Sequence, residues 1–174
     1  WGLGWFHRAP DAFGHGSVRF NGRSPGYSSY LEGFDDEDLP IVLVSNLYDY
    51  APTVVAEGLA AIAWDKPHEP PARIVPYPAT TAALARYEGV YQFGPDFHVR
   101  NGKATLKLAG DHVAMIWDAG GVVSPLFPVG PGKFFDPAFW AELEMVDGPQ
   151  GTTMKYRSFG FPTVFEARRI KDGG

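Results

Sequence analysis

The sequence predicts a mainly β protein with one long helix: antiparallel strands and that helix first, then a barrel of eight or nine strands. Three observations lead there. From position 84 onward, short runs rich in β-branched and aromatic residues recur at close spacing, separated by turn signals. With 21 Gly and 16 Pro in 174 residues, turns are dense enough to favour strands over long helices. One segment alone, residues 52–64 (PTVVAEGLAAIAW), repeats its apolar residues at helical spacing.

In chain order, residues 1–8 (WGLGWFHR) read as a strand and 9–16 as a turn. The strand resumes at 17–23, with Val18 and Phe20 on one face and Arg19 and Asn21 on the other, by two-residue alternation. Residues 26–34 alternate aromatic or apolar with small polar side chains. The run 39–44 (LPIVLV) is apolar and β-branched, as a strand buried on both faces should be. The acidic run 35–38 between them is too polar to bury. Pro52 suits the first turn of a helix, and Val55, Leu59, Ile62 and Ala63 mark the face expected to pack on the sheet. Residues 65–80 hold five prolines and read as a semi-rigid linker. The expected organisation is therefore a first domain over 1–64, a linker over 65–81 and a barrel domain over 82–174.

Nine strands are expected in the second half: 87–93, 97–100, 103–108, 112–117, 122–129, 133–135, 139–146, 152–158 and 163–170. Asn101-Gly102 is a strong hairpin signal, since both positions tolerate positive φ. Closing such strands into an up-and-down barrel removes the exposed edges.

The net charge of −5 offers no basic face for phosphates, so no nucleic-acid partner is expected. Absence of cysteine excludes disulfides and thiolate metal sites. No apolar run approaches the ~20 residues of a membrane-spanning helix. The chain begins without Met and without a charged leader, in what reads as mid-strand, so it is expected to be the tail of a longer polypeptide.

The stretch Phe20-Asn21-Gly22, then Gly26-Tyr27-Ser28-Ser29-Tyr30, then Ser45-Asn46, resembles the region around the third motif of the serine β-lactamase and penicillin-binding-protein family, of the peptidase S12 type. Gly4-Trp5 fits the strand that precedes that motif. The second half, through Tyr87-Glu88-Gly89-Val90-Tyr91, Pro125-Leu126-Phe127-Pro128-Val129, Phe134-Phe135 and Glu166-Ala167-Arg168-Arg169-Ile170, is similar to the lipocalin-like barrel appended to many such hydrolases. The resemblance implies the closing strands and long C-terminal helix of the β-lactamase/transpeptidase-like fold, followed by that barrel. It also implies acyl transfer on peptide, amide or ester substrates and a periplasmic or secreted location.

The family acylates a Ser in an S-x-x-K motif. No Ser here is followed three residues later by Lys, so catalytic residues are expected outside this chain, which alone should be inactive. What the chain would supply is one wall of the cleft: Phe20, Asn21, Gly22, Arg23 and Ser24. Phe20 carries no charge where the family places a cation. Asn21 can donate and accept, Gly22 lets substrate lie against the strand, and Arg23 could supply a displaced positive charge. Phe20 itself is expected in the sheet core, as phenylalanine usually is. A shifted register would instead make His15-Gly16-Ser17 the motif.

Partners implied are the N-terminal part of the hydrolase, a small acyl, peptide or ester substrate, and further copies of the chain. No cofactor is expected. The five histidines lack H-x-x-x-H or H-x-H spacing, so no zinc site is expected, although His98 and His112 could approach across the barrel. The barrel aromatics Phe93, Phe97, Trp117, Phe127, Phe134, Phe135, Trp140 and Tyr156 read as a filled core, the other reading being a cup for a small apolar ligand. Glu142 and Glu144 share a strand face that is most simply solvent.

Overall fold

The computed structural model describes residues 5–8, 14–36, 38–48, 51–149, 151–158 and 163–170. The expected strand at 1–4 and the turns at 9–13 and 160–162 lie outside them. The chain forms two compact units, residues 1–72 and 73–174.

The first unit is a four-stranded antiparallel sheet in the order β1 (Phe6–Arg8), β2 (Ser17–Ser24), β3 (Tyr27–Phe34), β4 (Pro40–Ser45), with the helix α1 (Pro52–Ala63). Pro25 and Gly26 turn β2 into β3, and Gly26 has the positive φ of +82° that such a Pro-Gly turn requires. Ser28, Tyr30, Glu32 and Phe34 of β3 are all buried. Tyr30, Phe34 and Ile41 pack with Ala56 and Ala60 of α1 into one core.

Three expectations about the elements of this unit fail. No long helix forms among the described residues: α1 has 12 residues, about 18 Å at 1.5 Å per residue, and the second helix has five. The helix also turns its other face to the sheet. Val54, Ala56, Gly58, Ala60 and Ala61 are buried, whereas Val55, Leu59 and Ile62 are exposed, Ile62 at 70%. Small residues let the helix backbone come close to large sheet side chains, which the bulkier stripe would have prevented. Third, β4 is an edge strand buried on one face only. Ile41 is buried, while Val42 and Val44 stand in solvent, Val44 at 77%.

The second unit begins with residues 73–80, which have no helix or strand, and the short helix α2 (Thr81–Ala85). Sequence reading missed α2. Its signal was Thr80, whose side chain accepts a hydrogen bond from Ala83 N as an N-cap. Eight antiparallel strands then close into a barrel: β5 (Gly89–Phe93), β6 (Lys103–Ala109), β7 (His112–Trp117), β8 (Val123–Gly130), β9 (Lys133–Asp136), β10 (Ala141–Gly148), β11 (Gly151–Ser158) and β12 (Phe165–Ile170). Closure comes from β5 pairing with β12 and β9 with β10.

The ninth expected strand, 97–100, is loop. Phe97 N and Asn101 N both donate to Gly94 O, and Asn101 takes φ +56°, so the segment folds back on itself. Its Phe97 ring enters the barrel and stacks on Phe93 at 3.9 Å. The interior is packed with Tyr91, Leu106, Val113, Met115, Leu126 and Met154, each essentially without exposure. Leu84 of α2 joins the same core.

Tyr91 donates its hydroxyl to Tyr87 O at 3.0 Å. Burial pushes its phenol from 10.0 up to about 12, against the opposing pull of Arg169. The neutral phenol is thus favoured in the folded barrel. The stability it contributes is whole below pH 10 and is lost as pH rises towards 12. Alkaline titration followed by phenolate absorbance and circular dichroism is expected to show Tyr91 ionising only as the barrel unfolds. Tyr91→Phe should remove that component of the pH dependence.

Candidate functional site

The five cleft residues expected from sequence lie in the β2 strand and present two different faces. Register places Phe20 opposite Leu31, Gly22 opposite Ser29, and Leu31 and Ser29 opposite Val42 and Val44. That face is open. Phe20 is 47% exposed, with an edge contact to Trp5, so the expectation of a buried Phe20 is corrected. The reason is that α1 covers the opposite face. Gly22 leaves little room there: a Cβ on it would sit 3.0 Å from Ser29 Oγ.

Asn21 and Arg23 project to the helix side, in rows with Tyr30 and Leu43 and with Ser28 and Ser45. The Arg23 guanidinium lies 5.7 Å over the Tyr48 ring. Ser28 Oγ donates to Leu47 O at 2.8 Å, and Ser45 Oγ accepts from Leu47 N at 3.1 Å. The structure therefore gathers Arg23, Ser28 and Ser45 into one cross-strand row at the hairpin end of the sheet. Phe20 and Ser24 stand on the other side.

At the opposite end of β2, the alternative motif His15-Gly16-Ser17 is tied down. Gly16 O accepts from Asp35 N at 2.9 Å, and Ser17 Oγ donates to Glu32 at 2.6 Å. His15 stacks on Trp64 at 4.2 Å. Glu32 also accepts from the Tyr30 hydroxyl at 2.8 Å. Burial, reinforced by the neighbouring Glu32 carboxylate, holds the Tyr30 phenol well above its ordinary range, with Arg19 pulling the other way. Sequence reading passed over Glu32, although alternation along β3 put it on the same face as Tyr30 and Phe34. A carboxylate in an inward position was the available signal.

In the barrel, His98 lies in the loop after β5 against Phe97 and Phe165, while His112 opens β7 beside Asp111 and Phe127. They stand at opposite ends of the barrel. Burial lowers the pKa of His98. Among the described residues no three His, Cys, Asp or Glu side chains gather as a metal site. No helix among them is long and apolar enough to cross a membrane. An open depression of about 1370 Å³ is lined by charged residues of β9–β12 and by Arg73, Ile74 and Val75, and the core residues Phe93, Phe134 and Leu143 also reach it.

No family profile matches the sequence, and no curated protein does. Among solved structures, the chain is similar to an octameric penicillin-binding protein homologue from Pyrococcus abyssi, at 20% identity over 97% of this chain and 36% of that one, with a TM-score of 0.36. It is similar to SurE, at 18% identity over 98% of this chain and 37% of that one, with a TM-score of 0.38. SurE with D-Leu gives 18% identity, 98% and 38% coverage, and a TM-score of 0.39. The chain spans little more than a third of the length of these proteins. What it shares with them is a distant structural similarity.

Proposed function

We propose that residues 1–64 form one wall of the acyl-transfer cleft of a serine hydrolase whose nucleophile lies outside this chain. The observation that carries this reading is the uncovered sheet face. Phe20, Val42 and Val44 are exposed on one side of a sheet whose other side is packed against α1. Apolar surface of that kind marks a face meant to be covered. In this reading the remainder of the hydrolase covers that face, and the cleft opens at the hairpin end of the sheet, where Gly22 on the uncovered face and Asn21 and Arg23 on the helix side both border it. Gly22 permits close backbone approach, and Asn21 and Arg23 supply polar contacts to an acyl, amide or ester substrate. The barrel follows as an appended unit.

The test is the full reading frame that contains Trp1. It is expected to encode an S-x-x-K upstream, and the full-length protein should be labelled at that Ser by a fluorophosphonate probe. Arg23→Ala in that protein is expected to cost about tenfold in kcat/KM on an ester substrate carrying a carboxylate, equivalent to about 1.4 kcal/mol. A frame that opens at Trp1, or full-length protein that takes no probe, overturns the reading.

A further inference from the structure

The outer wall of the barrel carries charge in an ordered row across four strands. By register Lys133 stands beside Glu144, Glu144 beside Lys155, and Lys155 beside Glu166. The row reads cation, anion, cation, anion, and at ~4.8 Å per strand it spans about 14 Å. Two residues along the strands, Glu142 stands beside Arg157, so the two middle strands repeat the opposition of charge. These side chains alternate with the buried Phe134, Leu143, Met154, Tyr156 and Phe165, and therefore point outward.

Cross-strand pairing within the wall accounts for part of this. Glu142 and Arg157 form an ion pair. The four residues of the longer row form none among the described residues, although opposite charges stand side by side along it. Their charge remains available to something outside the barrel.

The row has a symmetry that scattered surface charges lack. Reversing it about the line between β10 and β11 exchanges every cation for an anion. A two-fold axis along that line performs this reversal while bringing a second barrel wall face to face. Lys133 then meets the partner's Glu166, Lys155 meets the partner's Glu144, and Glu142 meets the partner's Arg157. A row of odd length, or one of a single sign, would set like against like. The charged side chains of the row line one depression on this face together with the aliphatic Ile74, Val75, Val164 and Ile170. We infer that this face of the barrel is an isologous interface between two copies of the chain, with electrostatic complementarity fixing its register. The inference stands on the second unit alone, and its readout is independent of any acyl-transfer chemistry.

The experiment compares the whole chain with E144K and K155E by analytical ultracentrifugation. The wild-type chain is expected to dimerise at low ionic strength. At about 1 M salt, where the Debye length is about 3 Å, the dissociation constant should rise at least about tenfold. Each variant alone sets like charges against each other and should run as a monomer with an unchanged circular dichroism spectrum. Mixed in equal amounts, the two variants become complementary at both positions, and the dimer should return. K133E and E166K form an equivalent pair should either first variant fail to fold. A wild-type chain that stays monomeric at low salt overturns the inference. So does association that survives the single variants, or a mixture that remains monomeric.

Discussion

Phe93→Ala is expected to destabilise the barrel by about 4 kcal/mol, the usual cost of emptying a large aromatic site in a packed core. Phe93 is 2% exposed and stacks on Phe97 and Trp117, with Tyr156 edge-on to it. Truncation opens a cavity and also removes the ring that holds Phe97, and with it the 94–102 loop that covers this mouth of the barrel. In urea unfolding followed by circular dichroism the midpoint should fall clearly, and Tm should drop by about 20 °C for a unit of this size. Phe127→Ala, at a half-exposed site, should cost less than about 1 kcal/mol. A Phe93→Ala loss as small as that control would mean that the interior is a cup with slack, not a filled core.

Glu32→Ala is expected to cost the first unit about 3 kcal/mol. Glu32 is almost fully buried between the sheet and α1, and it accepts from both Ser17 and Tyr30. Removing it leaves two buried hydroxyls without an acceptor, at roughly 1–3 kcal/mol each before relaxation. Glu32→Gln keeps one acceptor of similar shape and should lose about half as much. The pH behaviour gives a readout that simple loss of packing would not produce. The Glu32 carboxylate helps hold the Tyr30 phenol neutral, so in Glu32→Ala protein Tyr30 should ionise at lower pH. Phenolate absorbance measured below the unfolding transition would show it. An unchanged Tyr30 titration would mean that the two groups are not electrostatically linked.

Both residues have partners remote in sequence, Trp117 and Tyr156 for Phe93 and Ser17 for Glu32, and these show where local patterns end. The barrel strands were legible because alternation and turn residues act locally. The run 112–117 coincides with β7, and most other barrel strands differ by a residue or two at their ends. The 97–100 segment was misread because its residue types suit a strand. The Phe97 ring gains more by stacking inside the barrel than the backbone gains by extending a ladder, and no local pattern records that preference. The helix at 52–63 was legible as an element but not in its orientation. Helical spacing marks Val55, Leu59, Ile62 and Ala63, the bulkier stripe, as the core face. The sheet accepted the alanine stripe, because the large side chains at the interface were already supplied by Tyr30, Phe34 and Ile41.

The candidate cleft divides in the same way. The resemblance to a known family supplied the positions Phe20 to Ser24 and the expectation of an S-x-x-K, which the sequence lacks. Tertiary structure decided that Phe20 and Arg23 stand on opposite faces, that Ser17 is bonded to Glu32, and that Phe20, Val42 and Val44 are exposed together on one sheet face. It also decided that Lys133, Glu144, Lys155 and Glu166, drawn from four separate strands, fall into a single row. Residue identity and near-neighbour spacing specify elements. Which face of an element meets which, and which distant charges end up side by side, depends on how side-chain volumes fit once the chain has closed on itself.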